Sequence, residues 1–190
     1  MTETTERNYS GIANYRLAIC KEFLDEPAAP YYKAAQGGNE LLDDDYYAKK
    51  KSETYLRRNI SETEKSIIMA ANLIEQKKFD AAVDSLTILL NSTQSQNLYG
   101  QTALLLSEAY YYQNKYDSSL IFAQKALAEK SRIESSVIPF ANYFASSASF
   151  KKGDKEKAKY YFEKADNSSN FFYENKLKSM LKNLSRFVNN

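Results

Sequence analysis

Apolar residues between residues 62 and 170 recur at the spacing of amphipathic helices, and one arrangement of apolar and small residues occurs three times. In each unit a small residue lies within an apolar run, a short polar turn follows, and a second small residue stands twelve positions after the first. A repeat of about 40 residues predicts stacked helical hairpins, because a single hairpin cannot bury its own apolar face. The paired small residues are Ala70 and Ala82, Ser107 and Ser119, and Ser146 and Ala158.

The small residues and the turns between them have a steric explanation. A small side chain is needed where the two antiparallel helices of a hairpin approach most closely, because a large one would separate them. The turns read KKFD, NKYD and KGDK, which are polar and short enough for a tight connection. In the third turn we expect Gly153 to adopt a positive φ and Asp154 to cap the next helix.

These units resemble tetratricopeptide repeats, over roughly residues 62–170. They lack the Trp and the closing Pro that are common in that family, and their period exceeds its usual length of about 34 residues. We assign the excess to longer loops at Asn91–Asn97 and Ser131–Ser136. The positions that match the family pattern are Met69, Ala70, Leu73, Phe79, Ala82 and Leu86 in the first unit, Leu106, Ser107, Tyr110, Tyr116, Ser119 and Ala126 in the second, and Ala158, Phe162 and Ala165 in the third.

The predicted fold class is all-α, since only five glycines and three prolines occur in 190 residues. The resemblance implies a right-handed superhelical stack of antiparallel hairpins. We expect residues 61–190 to form one continuous domain of three such hairpins and a capping C-terminal helix, with a capping box at Ser61–Glu64 marking its start. The C-terminal helix is predicted from the apolar stripe Leu177, Met180, Leu181, Leu184, Phe187 and Val188.

Residues 1–60 are predicted to be an irregular helical segment, which can also be interpreted as a degenerate repeat. Its first helix has a predicted apolar face at Leu17, Cys20, Phe23 and Leu24. Cys20 is the single cysteine, and its apolar neighbours predict a small buried residue. The acidic run Asp43–Asp45 is expected in the first turn of a later helix, where acids complement the helix dipole.

The resemblance also implies that the first helix of each hairpin lines a concave face. This face would be mainly aromatic and aliphatic, without the Lys, Asn and Arg set with which some members of the family hold acidic peptide tails. Two interpretations remain: an open groove that awaits a partner, or a groove filled by the N-terminal segment. The candidate partner-binding residues are Ile67, Leu104, Glu108, Tyr111, Tyr112, Phe140, Tyr143 and Phe150.

The composition gives little support to catalysis or to metal binding. The chain has no histidine, so the usual general base, metal ligand and activator of a Ser or Cys nucleophile are missing. No Gly-rich phosphate loop and no HExxH motif occurs. We therefore predict a protein that is not an enzyme, with no cofactor, no bound metal and no small-molecule substrate.

The leading functional hypothesis is a protein-interaction scaffold or adaptor, of a kind found in bacteria, that binds a peptide or helix in the groove. A chaperone-like holder of a secreted or membrane-associated partner is the alternative. Nucleic-acid binding is a weaker one: the net charge is only +2, although lysines and aromatic residues alternate in the C-terminal third. No apolar run reaches the length of a membrane span, which predicts a cytoplasmic location, or a periplasmic or envelope-associated one if a leader has been removed.

Overall fold

The computed structural model describes residues 10–92, 96–128 and 134–188, with only the backbone of residues 96 and 97. In these ranges the structure is helical and contains no strand. The chain divides into two compact units, with the boundary between Ser61 and Glu62. The helices are α1 Ser10–Phe23, α2 Ala29–Ala35, α3 Asp43–Tyr55, α4 Glu62–Glu75, α5 Phe79–Ser92, α6 Gln96–Tyr112, α7 Tyr116–Leu127, α8 Val137–Lys151, α9 Lys155–Asp166 and α10 Glu174–Val188.

The N-terminal unit is a small bundle in which each of α1, α2 and α3 packs against the other two. The carboxylate of Asp45, which is 0% exposed, joins two of its segments. Its oxygens accept hydrogen bonds from the backbone N–H of Ile12 (2.7 Å) and of Asn39 (2.8 Å). Asp45 lies in the first turn of α3 as the sequence predicted, but this long-range role was not predicted.

Two glycines allow that approach. A Cβ atom on Gly38 would lie 2.7 Å from the Cα of Gly11 and 2.7 Å from an oxygen of Asp45. A Cβ on Gly11 would meet the same carboxyl group at 2.7 Å. These distances are shorter than any relaxed contact between such atoms, so both positions need glycine.

The buried face of α1 differs from the predicted one. Tyr15, Ala18 and Ile19 are buried, whereas the predicted residues Leu17, Cys20, Phe23 and Leu24 are exposed. The prediction that Cys20 is buried is therefore wrong. The physical reason is that the small and aromatic side chains of α1 allow α2 and α3 to pack closely. Four tyrosine rings of this core form a chain of contacts. The ring centroids lie 5.9 Å apart for Tyr47 and Tyr15, 6.3 Å for Tyr15 and Tyr32, and 5.8 Å for Tyr32 and Tyr55.

The C-terminal unit has a regular order of packing. Each helix from α4 to α10 packs against the next helix in the chain. In addition, α4 packs against α6, α6 against α8, and α8 against α10. The even-numbered helices therefore form one continuous row, which we call the inner row, and α8 in its centre has ten buried residues.

The three hairpins of this unit share one turn geometry. Lys77, Asn114 and Gly153 stand at equivalent positions and have positive φ angles of 60°, 59° and 82°. In each turn, the backbone N–H groups of this residue and of the next residue donate hydrogen bonds to carbonyls of the last helical turn. The N···O distances lie between 2.8 Å and 3.0 Å. This is the Schellman arrangement that ends many helices. The positive φ predicted for Gly153 is confirmed, and so is the capping by Asp154, whose Oδ1 accepts from the N–H of Lys157 at 3.1 Å.

The small residues lie where the helices of each hairpin meet. Ala70 and Ala82 are completely buried in the first hairpin. In the other two, a serine of the first helix donates to a carbonyl of the second: Ser107 Oγ to the Ser119 carbonyl at 2.8 Å, and Ser146 Oγ to the Ala158 carbonyl at 2.7 Å. A side-chain hydroxyl can reach a helical carbonyl only at close approach, which agrees with the steric explanation of the repeat.

Equivalent polar contacts also join one hairpin to the next. Gln113, at the end of α6, donates to Asp80 of the preceding hairpin at 2.8 Å. Lys152, at the end of α8, forms an ion pair with Asp117 of its preceding hairpin. Both contacts connect the same two positions of neighbouring units.

The C-terminal helix α10 packs against α8 and α9, as the apolar stripe predicted. Its buried residues Leu177, Leu181, Leu184 and Val188 form a core with Phe162 of α9. Phe187, which the sequence assigned to the same stripe, is instead 57% exposed. The predicted loop Asn91–Asn97 is shorter than expected, since α5 continues to Ser92 and α6 begins at Gln96; the remainder lies outside the described residues. Residues 131–133 of the other predicted loop also lie outside them. Among the helices that are described, none has the length and apolar character needed to cross a membrane.

Candidate functional site

Three tyrosines of the inner row surround one buried phenylalanine. Phe144 of α8 is 1% exposed. The ring centroids of Tyr111 and Tyr112 on α6 lie 5.7 Å and 6.5 Å from its own, and that of Tyr143 on α8 lies at 5.3 Å. We call Tyr111, Tyr112 and Tyr143 the tyrosine cluster. It extends toward α5, because Phe79 stacks on Tyr112 with a centroid separation of 5.5 Å and an interplanar angle of 20°.

The hydroxyls of the tyrosine cluster are held in their neutral form. Burial raises the pKa of Tyr112 to about 12, and the nearby Glu108 carboxylate contributes to that shift. Burial also raises the pKa of Tyr111 and of Tyr143. An ordinary tyrosine, with a pKa of about 10, is already protonated at neutral pH, and the raised pKa values keep these phenols neutral to higher pH. In this form each can donate a hydrogen bond to a bound group.

Ser147 lies beneath these hydroxyls. Its residue is 1% exposed, and within the described residues its Oγ has no partner of ordinary hydrogen-bond geometry. The Oγ is nevertheless close enough to the hydroxyls of Tyr111 and Tyr143 to lower their pKa values slightly against the larger effect of burial. A buried hydroxyl without a good partner is uncommon in folded proteins, and such groups occur where a ligand or water completes the bonding.

Glu108 of α6 places a carboxylate beside the tyrosine cluster. The residue is partly buried, and loss of hydration raises the pKa of its carboxyl group above the ordinary value of 4.5. Lys176 of α10 opposes this shift, and Glu75 of α4 adds to it. Charged groups of two other even-numbered helices, α4 and α10, thus act on this carboxylate of α6.

The predicted partner-binding residues differ in how much of each side chain is accessible. Tyr112 is 47% exposed. Ile67 is only 2% exposed, so little of its side chain is accessible to a partner. The other predicted residues, Leu104, Glu108, Tyr111, Phe140, Tyr143 and Phe150, are partly buried.

The structure adds residues to this surface that the sequence reasoning missed. Glu75, at the end of α4, was not predicted to act on this site. Lys176 was not predicted either, because its approach to Glu108 depends on how α10 packs. Phe187, which is 57% exposed, extends the aromatic surface along α10 by packing against Phe150 at 5.9 Å.

The aromatic residues of the basic C-terminal third differ in their access to solvent. Phe162 and Phe171 are buried in the core, while Tyr160 is 56% exposed on α9. Several lysines of this region pair with acids of the chain. These ion pairs are Lys152 with Asp117, Lys157 with Asp154, and Lys178 with Glu174.

The N-terminal unit contains a cleft of about 430 Å³ that the sequence did not reveal. Tyr32 and Tyr55 contribute to its lining, and acidic and basic residues occur around it. This cleft has charges of both signs, unlike the aromatic surface of the inner row. The acids and bases of its lining are Glu22, Asp25, Glu26, Arg57 and Arg58.

Comparison with known proteins adds no name to this arrangement. No protein-family model, no curated protein and no solved structure matches the chain. Among the described residues, no group of histidine, cysteine, aspartate and glutamate side chains has the geometry to hold a metal ion. The geometry of the inner row is therefore the observation from which a function can be argued.

Proposed function

We propose that this chain is a non-enzymatic interaction scaffold whose C-terminal unit is a superhelical stack like that of tetratricopeptide repeats. In this proposal the inner row binds a peptide or a helix of another protein through apolar anchors. The tyrosine cluster is the observation that carries it: aromatic side chains from two helices converge around Phe144, and the ring of Tyr112 remains accessible.

The packing supports both parts of the proposal. The three hairpins share one turn geometry, and equivalent contacts link each hairpin to the next. A stack of equivalent units requires such repeated features. Tyrosine is enriched among the residues that dominate binding energies, because a rigid ring buries a large area and its hydroxyl adds a directed hydrogen bond. The neutral hydroxyls of Tyr111, Tyr112 and Tyr143 could bind backbone carbonyls of an extended segment.

Site-specific photo-crosslinking in the cell of origin tests the proposal. A photoreactive phenylalanine analogue replaces Tyr112 in one version of the chain and Tyr160 in another. The two positions are a matched pair, since both are tyrosines on helices with similar exposure, 47% and 56%, but Tyr160 lies outside the inner row. We expect a crosslink to one partner protein from position 112 and none to that partner from position 160.

The identity of the crosslinked products distinguishes an open groove from one that is filled by the N-terminal segment. A crosslink from position 112 to residues 1–60 of the same chain would show a groove filled by the chain itself, and the proposal would be wrong. Equal crosslinking from both positions, or none from either, would also contradict it. Circular dichroism of both versions verifies that helix content is unchanged.

A further inference from the structure

The acidic and the basic residues of the cleft in the N-terminal unit come from different segments of the chain. The acids Glu22, Asp25 and Glu26 belong to the end of α1 and the loop that follows it. The bases Arg57 and Arg58 belong to the segment that follows α3. Charges of opposite sign from two distant segments therefore border one space of about 430 Å³.

Backbone hydrogen bonds hold both segments in place. Asp25 has a φ of 54°, which turns the chain back after α1, and the N–H of Glu26 donates to a carbonyl of the last turn of α1 at 2.9 Å. After α3, the N–H of Arg57 donates to the Thr54 carbonyl at 3.1 Å. The charged side chains on both sides of the cleft are therefore attached to ordered backbone.

Two tyrosines form the floor of the cleft. Tyr32 of α2 and Tyr55 of α3 both line it and are buried, and their ring centroids lie 5.8 Å apart. The guanidinium of Arg58 lies 5.3 Å from the ring centroid of Tyr55, which places the basic segment beside this floor. Pro27 and Leu56 add further apolar lining. A ligand in the cleft would thus meet an apolar floor bordered by acids and bases.

The acids and the arginines of the cleft do not neutralise one another. Glu26 forms an ion pair with Lys21, which belongs to α1 itself. Within the part of the chain that the structure describes, the side chains of Glu22, Asp25 and Arg57 form neither an ion pair nor a hydrogen bond. Opposite charges that border one cleft without meeting leave room for a ligand that carries both charges.

The volume of the cleft limits the length of such a ligand. A sphere of this volume is about 9 Å across, and an extended chain spans at most about 3.6 Å per residue, so about two or three residues would fill it. The volume also lies within the range that is typical of small-molecule sites. In a longer chain the two terminal charges would lie too far apart to reach both sides of the cleft.

We propose that the cleft binds a short zwitterionic peptide of about two or three residues. Its ammonium group lies at Glu22 and Asp25, where the dipole at the C-terminal end of α1 also favours a cation. Its carboxylate lies at Arg57, because a guanidinium can bind both oxygens of a carboxylate. The proposal concerns binding alone and is independent of the function proposed for the inner row.

Titration of short peptides into the full chain tests the proposal. The probes are di- and tripeptides of alanine, leucine and tyrosine; calorimetry measures their affinity, and the NMR shifts of the Glu26 and Arg57 amides locate the binding. We expect N-acetylation and C-terminal amidation each to weaken binding by at least about tenfold, because each removes one charged hydrogen-bonding partner. All these peptides are measured on the native chain, so the comparison does not depend on the folding of a variant.

Two variants assign the two charges of the peptide to their sites. Arg57→Gln should weaken the binding of free peptides and abolish the effect of amidation, whereas the effect of acetylation remains. Glu22→Gln should reduce the effect of acetylation and leave that of amidation unchanged. Arg16→Gln and Asp44→Asn are the matched controls, because they remove the same charges from positions of this unit that do not line the cleft. Both controls should bind like the native chain.

The proposal is wrong if no peptide of the panel shifts the amides at the cleft, or if blocked peptides bind as tightly as free ones. Longer peptides with free ends provide the third check. If they bind as tightly as the short ones, the cleft is a docking site for a polypeptide chain and not a site for a short zwitterion. None of these results bears on the inner row, which is tested separately by crosslinking at Tyr112.

Discussion

Asp45 in the N-terminal unit and Glu108 in the C-terminal unit are both carboxylates with reduced access to water, but their surroundings are opposite. Two backbone N–H groups donate to Asp45, which holds α1 and the segment before α3 together. Glu108 receives no such donor among the described residues, and burial raises the pKa of its carboxyl group. The carboxylate of Asp45 therefore serves the fold through its backbone donors, whereas the raised pKa of Glu108 reflects lost hydration without such donors.

The largest effect is expected from Asp45→Ala. The change removes the acceptor of the N–H groups of Ile12 and Asn39 at part-buried hydrogen bonds, and hydrogen bonds to a charged group contribute about 1.5–3 kcal/mol each. We expect the N-terminal unit to lose about 3–4 kcal/mol, which hydrogen exchange at these two amides would report as much faster exchange. Asp44→Ala is the control, because it removes an acid from the same helical turn and should cost about 1 kcal/mol or less. Equal losses in the two variants would contradict the bonded role of Asp45.

The second prediction concerns close packing in the C-terminal unit. Ala158→Leu places a large side chain where α8 and α9 meet, beside the bond from Ser146 to the Ala158 carbonyl. We expect a loss of about 2–3 kcal/mol, typical of overpacking, measured by chemical denaturation. Lys159→Leu adds the same side chain at the exposed neighbouring position and should change stability by about 0.5 kcal/mol or less. A tolerated Ala158→Leu would show that the small residues are not a steric requirement.

The sequence predicted the features that depend on local spacing. The close contacts at Ser107 and Ser146, the turn at Gly153 and the buried stripe of α10 all follow from residues within one hairpin or one helix. Such short-range patterns can be read without knowing how distant parts of the chain meet. The all-α prediction is also confirmed for the described residues.

The features that depend on distant contacts could not be predicted. Asp45 meets Ile12, which is 33 positions away, and only the packing of α1 against α3 brings them together. The buried face of α1 was predicted wrongly for a similar reason. From the sequence, Leu17 and Leu24 resemble core residues, but in the structure Tyr15 and the glycines form the contact. At the candidate site, the sequence identified the tyrosines and Glu108 but not the approach of Lys176.

The third prediction compares the turns of the three hairpins. Lys77 and Gly153 adopt the same left-handed conformation, which costs a residue with a side chain about 1–2 kcal/mol. Gly153→Ala should destabilise the C-terminal unit by about 1 kcal/mol, and since nothing lies within 4 Å of the added methyl group the cause would be the backbone alone. Lys77→Gly should stabilise it by a similar or smaller amount. Thermal denaturation of both variants tests this pair, and changes of the same sign would show that the turns are not equivalent.

The smallest effect is expected from Glu108→Gln, and it should depend on pH. The folded chain holds a proton on Glu108 at a higher pH than the unfolded chain does, because burial and Glu75 raise the pKa above 4.5 more than Lys176 lowers it. The ionised carboxylate therefore destabilises the fold, and this effect grows as pH rises above 4.5. The tyrosines beside it stay neutral across this range. Glutamine does not titrate, so the variant should be more stable than the native chain at pH 7, by less than about 1 kcal/mol. The difference should shrink as pH falls toward 4.5. Denaturation curves measured across this range, with exposed Glu163→Gln as the comparison, would contradict the interpretation if Glu108→Gln destabilised the chain at pH 7, because Glu108 would then have a stabilising partner.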